Sequence, residues 1–253
     1  MYARRTVLKG AASLPLAAIL ADPMLARAAA HGLQDVSITT AGGKSVSGAL
    51  ALPAKTPAAA VLLIHEWWGL NDQIKSVAAK LAEGGYVALA VDLYDGKVAT
   101  DAGDARSYMG QVNGGEATDA LASWIGWLKD HDRANGKVAT VGWCFGGGWS
   151  LNASIAAPVD GTIIYYGNVS RKAADLKALK GPVLGHFATE DQWINQAMVS
   201  GFEAEMKQAG KQFTTHWYDA NHAFANPTSA RYDEADAALS WQRTQAFLEE
   251  TLG

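Results

Sequence analysis

Six short runs of mostly apolar residues recur along this chain, at 58–65 (AAAVLLIH), 86–93 (YVALAVDL), 137–143 (KVATVGW), 161–166 (GTIIYY), 182–188 (PVLGHFA) and 213–219 (FTTHWYD). Each is short for a helix, and near-continuous hydrophobicity fits strands covered on both faces, as in a parallel sheet. Stretches of helical character lie between them, at 73–83, 116–130, 150–157, 195–208 and 229–251. Parallel neighbours need crossover connections, and right-handed crossovers put helices on both faces of the sheet. The alternation predicts an α/β fold with a doubly wound, mostly parallel sheet. Ahead of it, DVSITT and SVSGALAL alternate in polarity around Gly42-Gly43, which predicts an N-terminal antiparallel hairpin at the sheet edge.

Residues 1–30 follow a different grammar. Arg4-Arg5 gives a basic start, residues 11–21 are rich in Ala and Leu, and small residues follow at Ala26, Ala28 and Ala30. This is the pattern of an export signal. The apolar stretch is short of the roughly 20 residues of a spanning helix, and Pro15 interrupts it. Arg4-Arg5 followed by Thr6-Val7-Leu8-Lys9 resembles the twin-arginine signal of proteins exported already folded. The expected destination is the periplasm or the extracellular space, with no stable membrane anchor after processing. Residues 31–253 show no repeat and no shift of composition, so one domain is expected there. With 21 Lys and Arg against 25 Asp and Glu and no basic run, no broad positive field is offered to nucleic acid. Nothing in the sequence fixes the oligomeric state, and a monomer is expected.

The segment VATVGWCFGGG carries the chemistry. Cys144 is the centre of Gly142-Trp143-Cys144-Phe145-Gly146, after a buried strand and before a helix. A turn that lifts a nucleophile off a strand end crowds the backbone, and glycines two before and two after it relieve that crowding. The following helix N-terminus favours a thiolate, and the Phe145 N–H can help bind an oxyanion. Cys144 is the only cysteine, so it has no partner for an intramolecular disulfide. A buried structural cysteine is the competing reading.

An acid and a histidine should follow in chain order, each on a loop after a later strand. Asp191 in HFATEDQW and His222 in WYDANHAF occupy those places. Glu190 competes with Asp191, whereas His186 and His216 fall inside predicted strands and read as packing positions. His65-Glu66-Trp67-Trp68-Gly69 ends the first apolar run and begins the loop that supplies the second oxyanion donor, the Trp67 N–H. Glu66, between an apolar strand and two tryptophans, should be desolvated. Burial raises a carboxyl pKa and makes it a better acceptor for the thiol proton.

HEWWGLN, VDLYDG, GKVATVGWCFGGG, YYG, ATEDQW and HWYDANHAFAN resemble, in order and spacing, the dienelactone hydrolase family of α/β-hydrolases, over nearly the whole chain after residue 30. The resemblance implies Cys144 as nucleophile, His222 as base and acid, Asp191 as its orienting carboxylate and Glu66 as the group that holds and activates the thiol. It also implies hydrolysis of a small-molecule ester or lactone with no cofactor and no metal. Two family positions bear on the substrate. The family places a carboxylate-binding Arg four residues after the catalytic His, where this chain has Asn226, and its second such Arg is best matched by Arg106 with Tyr108. Asn supplies no charge, which weakens recognition of a carboxylate. Trp143 and the other tryptophans near these motifs point to a bulkier, less charged substrate. Thioester hydrolysis or acyl transfer would use the same residues. A binding protein or a redox-sensing thiol on this fold are the non-hydrolytic alternatives.

Overall fold

The structure is a computed structural model that describes residues 23–253. Most of the expected export signal therefore lies outside the described residues. Its end, Pro23–Ala30, forms helix α1, which packs against the second helix.

Eight strands form one sheet: β1 (Gln34–Thr39), β2 (Ser45–Ala51), β3 (Ala58–Ile64), β4 (Val87–Val91), β5 (Ala134–Trp143), β6 (Gly161–Tyr165), β7 (Val183–Ala188) and β8 (Phe213–Tyr218). Their order is β1-β2-β4-β3-β5-β6-β7-β8. β1 pairs antiparallel with β2, and β2 antiparallel with β4, so the hairpin forms one edge as expected. The remaining pairings are parallel. Ile64 at the end of β3 is opposite Gly142 near the end of β5, so the chain leaving β3 emerges beside the elbow that follows β5.

The helices after α1 are α2 (Asp72–Glu83), α3 (Ala102–Gln111), α4 (Gly114–Asp130), α5 (Phe145–Ala156), α6 (Ala173–Leu176), α7 (Gln196–Ala209) and α8 (Glu234–Leu252). Asparagine caps start α2, α4 and α7, where Asn71, Asn113 and Asn195 accept from first-turn N–H groups that otherwise lack partners. α3 and α6 carry no predictive pattern. α3 buries only Ala105 and shows no apolar stripe, and α6 is a single turn. α5 starts at Phe145, ahead of the expected 150, because Gly146-Gly147-Gly148 hides its first turn from a periodicity reading. α8 starts at Glu234, where Asp233 caps it, so the residues before it are loop.

Alternation along β3 divides the core. Val61 and Leu63 pack with Val77 and Leu81 of α2 and Leu248 of α8. Leu62 and Ile64 face the other way, against Leu121, Trp124 and Leu128 of α4. Each of these aliphatic side chains contributes about 1.5–3 kcal/mol by leaving water. α5 is fixed to the sheet by polar contacts as well. Thr140 Oγ1 lies 2.8 Å from Ser150 Oγ and 2.9 Å from Ser154 Oγ, and the Thr162 hydroxyl donates to Ser154 Oγ at 2.7 Å. Ser150 Oγ donates to the Ile163 carbonyl at 2.9 Å, so this buried cluster is satisfied internally.

Candidate active site

Cys144 has φ 53° and ψ −116°, a left-handed conformation that a non-glycine residue adopts only at a cost of about 1–3 kcal/mol. The elbow is held by close backbone packing. A Cβ on Gly142 would run into the carbonyl of Gly146, and one on Gly146 would run into the carbonyls of Ile64 and His65 at the end of β3. The Cys144 N–H donates to the Tyr165 carbonyl at 3.0 Å, and the Cys144 carbonyl accepts from Gly147 N–H at 3.0 Å. The turn therefore projects the side chain above the carboxyl ends of the strands.

His222 faces that side chain. Its Nε2 is 3.1 Å from Cys144 Sγ, and its Nδ1 donates to Asp191 Oδ2 at 2.6 Å. Asp191 is buried, and its other oxygen accepts from the N–H groups of Trp193 and Ile194 at 2.8 and 3.0 Å. Glu190 beside it is exposed, which resolves the choice between the two acids. Burial works against a charged imidazole, yet the bonds to Asp191 and Cys144 outweigh it and push the His222 pKa up to about 10. The Asp191 carboxyl is also buried, but its bonds to His222 and to backbone hold its pKa below the usual value.

Glu66 is buried, and desolvation raises its pKa, as the sequence led us to expect. Its oxygens, however, bond to groups other than the thiol. Oε1 accepts from the Tyr166 hydroxyl at 3.1 Å and Oε2 from the Asn226 amide at 2.5 Å. The thiol faces His222, not Glu66. Asn226 is itself buried, and its carbonyl accepts from the Thr228 N–H and hydroxyl. The expectation that Asn226 meets the substrate is corrected, because both ends of its amide are engaged within the protein.

Trp67 and Phe145 carry the two N–H groups expected to hold the oxyanion. Among the described residues neither the Trp67 N–H nor the Phe145 N–H donates to a protein acceptor. The loop bearing Trp67 is fixed by His65, which is fully buried. Leu93 N–H donates to His65 Nε2 at 3.2 Å, so Nδ1 carries the proton and donates to the Glu66 carbonyl at 2.5 Å. Desolvation lowers the His65 pKa and keeps the ring neutral, with both nitrogens tying the loop after β3 to the loop after β4.

Trp143, Arg106 and Tyr108 were also expected at the substrate. Trp143 is buried and stacks on Tyr165 at 5.4 Å, facing a cleft of about 290 Å³ between α2 and α8. It is the strand residue before the nucleophile and lies in the sheet face rather than at the mouth. Arg106 is exposed on α3. Tyr108 is half-buried, with its ring 6.0 Å from Tyr94. Residues two apart on a helix do not share a face, so Arg106 and Tyr108 do not form a pair.

Sequence reasoning missed Tyr166 and Tyr94. Tyr166 has φ 36°, and its ring lies 5.1 Å from His222; YYG after a buried strand was the available signal. Tyr94 packs on Phe145 at 5.7 Å and His65 at 4.6 Å, and its buried hydroxyl has no protein partner among the described residues. Burial and the charge of Cys144 raise its pKa.

A mostly parallel sheet with a nucleophile elbow after β5, an acid after β7 and a histidine after β8 defines the α/β-hydrolase class. The profile of the dienelactone hydrolase family matches residues 46–252, and the chain belongs to that family of ester and lactone hydrolases. It is 28% identical to the carboxymethylenebutenolidase of Pseudomonas putida over 230 residues, covering 85% of this chain and 95% of that one. It is 30% identical to the protein usf of Aquifex pyrophilus over 221 residues, covering 83% and 95%. Among solved structures, a dienelactone hydrolase-like promiscuous phosphotriesterase from metagenomic libraries superposes with a TM-score of 0.78 at 22% identity, covering 87% of this chain and 99% of that one. Est2, an esterase of Thermogutta terrifontis, superposes with a TM-score of 0.64 at 17% identity, covering 87% and 93%. These two likenesses concern the fold.

Proposed function

We propose that this chain hydrolyses a small carboxylic ester or lactone through a thioester on Cys144, with His222 and Asp191 completing the triad. The observation that carries the reading is the His222 ring lying between Cys144 Sγ at 3.1 Å and Asp191 Oδ2 at 2.6 Å. In the first step the sulfur attacks the carbonyl carbon and its proton resides on His222. The oxyanion is held by the Phe145 and Trp67 N–H groups. His222 then gives its proton to the leaving oxygen as the carbon–oxygen bond breaks. In the second step water attacks the thioester, its proton passes to His222, and collapse releases the acid and the thiol. Asp191 stays ionised and stabilises the imidazolium between the steps.

Glu66 is assigned to the acylation step, where desolvation raises its pKa and makes it a better proton acceptor. To reach the sulfur it has to leave Tyr166 and Asn226. Both are neutral donors, so no ion pair is broken.

Cys144→Ala is expected to abolish turnover of a chromogenic aryl ester while leaving the far-ultraviolet spectrum unchanged; retained turnover would remove the assignment. Export is proposed on the Arg4-Arg5 pattern. Arg4→Lys with Arg5→Lys should hold the precursor in the cytoplasm, and unchanged delivery to the periplasm would contradict it.

A further inference from the structure

The cleft of about 290 Å³ between α2 and α8 stands apart from the triad, for none of Cys144, Asp191 and His222 lines it. An apolar cavity of about 150 Å³ takes up benzene, so this one has room for two fused rings. Its walls are largely aromatic: Trp143 and Tyr165 close it from the sheet, Trp241 from α8, and Val77 adds an aliphatic face from α2. Two polar groups along it are already engaged. The Tyr165 hydroxyl lies 2.7 Å from Thr244 Oγ1, and the Ser240 hydroxyl donates to the Ala237 carbonyl at 2.9 Å. Gln73 differs. It lines the cleft and is only 8% exposed. Its backbone carbonyl accepts from the Ser76 hydroxyl at 2.7 Å, but its side-chain amide makes no hydrogen bond among the described residues. Buried polar groups are ordinarily paired, so an amide left open beside a cleft calls for a partner inside it.

We propose that this cleft is a second ligand site, which takes a small uncharged aromatic molecule carrying one group that both donates and accepts a hydrogen bond, such as a primary amide. The aromatic walls select a flat ring, which gains from edge and face contacts beyond the area it buries. The Gln73 amide has an acceptor oxygen and a donor nitrogen, so it matches an amide with two parallel bonds. Charge is disfavoured. Lys80, the charged residue that lines the cleft, is paired with Glu83 at 3.0 Å, and an ion placed between Trp143 and Trp241 would lose its hydration without gaining a counter-charge.

The test titrates 2-naphthamide into the full chain, followed by ligand-observed magnetic resonance. One-to-one binding with a Kd below about 1 mM is expected for a ligand of this size, and no binding overturns the proposal. Gln73→Leu should weaken it about tenfold, as for a ligand amide left without its partner, and Ala237→Phe, which puts a ring into the cleft from α8, should weaken it at least as much. Unchanged affinity in Gln73→Leu overturns the assignment whether or not Ala237→Phe folds. Alkylating Cys144 with iodoacetamide separates the two sites: binding that survives supports the cleft, and binding that disappears places the probe at the triad and overturns it. Added 2-naphthoate, the same rings with a carboxylate, should displace the amide at least about tenfold less effectively than unlabelled amide does; equal displacement overturns the uncharged class.

Discussion

Replacing Gly146 with alanine adds one methyl group at the point where α5 touches the end of β3. That methyl would fall within the carbonyl oxygens of Ile64 and His65, which are backbone atoms in a fully buried strand end and have no rotamer to escape into. Overpacking costs about 1–3 kcal/mol, and a clash with backbone belongs at the upper end. Alanine recovers about 1 kcal/mol through its better helix propensity. The net loss of about 2 kcal/mol corresponds to a fall in Tm of about 4–8 °C for a domain of this size. Gly126 supplies the control. It lies in α4, a Cβ there meets nothing within 4 Å, and Gly126→Ala should gain up to about 1 kcal/mol by the same propensity. Activity should follow the clash. The strain at Gly146 is relieved by moving the end of β3, and the Trp67 N–H moves with it; a displacement of about 1 Å at such a donor costs about 10²-fold in rate. Thermal unfolding followed by circular dichroism, with aryl-ester turnover on the same samples, reads both effects. A Gly146→Ala protein that melts with or above the wild type and keeps its full rate would refute the close packing of the elbow. Equal losses in both variants would show that the effect is not specific to the elbow.

Two further outcomes follow from the ionisable groups. Because the His222 pKa is raised from 6.5 to about 10, the stabilisation from its charged form is complete below about pH 6.5 and is lost as pH climbs toward 10. The Tm difference between wild type and Asp191→Asn should therefore shrink across that window, and a difference that grows with pH would contradict the pairing. Glu66→Gln should slow single-turnover acylation by about 10²-fold, as expected for loss of an acid–base group. Wild-type acylation at every pH would reduce Glu66 to a packing role.

The sheet was legible because both faces are covered, which leaves an unbroken apolar signal in β3, β4 and β6. The elbow was legible because its sterics restrict what can stand at 142 and 146. Side-chain direction was not. Asn226 was located by its spacing from His222, but whether its amide faced the substrate or Glu66 depends on the turn at Ala223, whose φ of 66° has no sequence signal at a non-glycine residue. Arg106 and Tyr108 looked like a pair only while α3 was unseen; once they lie on a helix, a separation of two residues parts them. The cleft lined by Gln73 and Trp241 joins two helices far apart in the chain, and no local pattern marks such a meeting.

The hydroxyl cluster of Thr140, Ser150, Ser154 and Thr162 bears on how the triad would come apart. It locks α5 to β5 and β6 with bonds shielded from water, so amides there should be among the slowest to exchange with deuterium. His222 has no such anchorage in the sheet; it stands on a loop and is held by its bond to Asp191 and its contacts with Cys144 and Tyr166. On warming, the base should be released while the nucleophile is still in place. Activity would then fade several degrees before the cooperative melt and return on cooling, a reversible inactivation set by a loop rather than by the core.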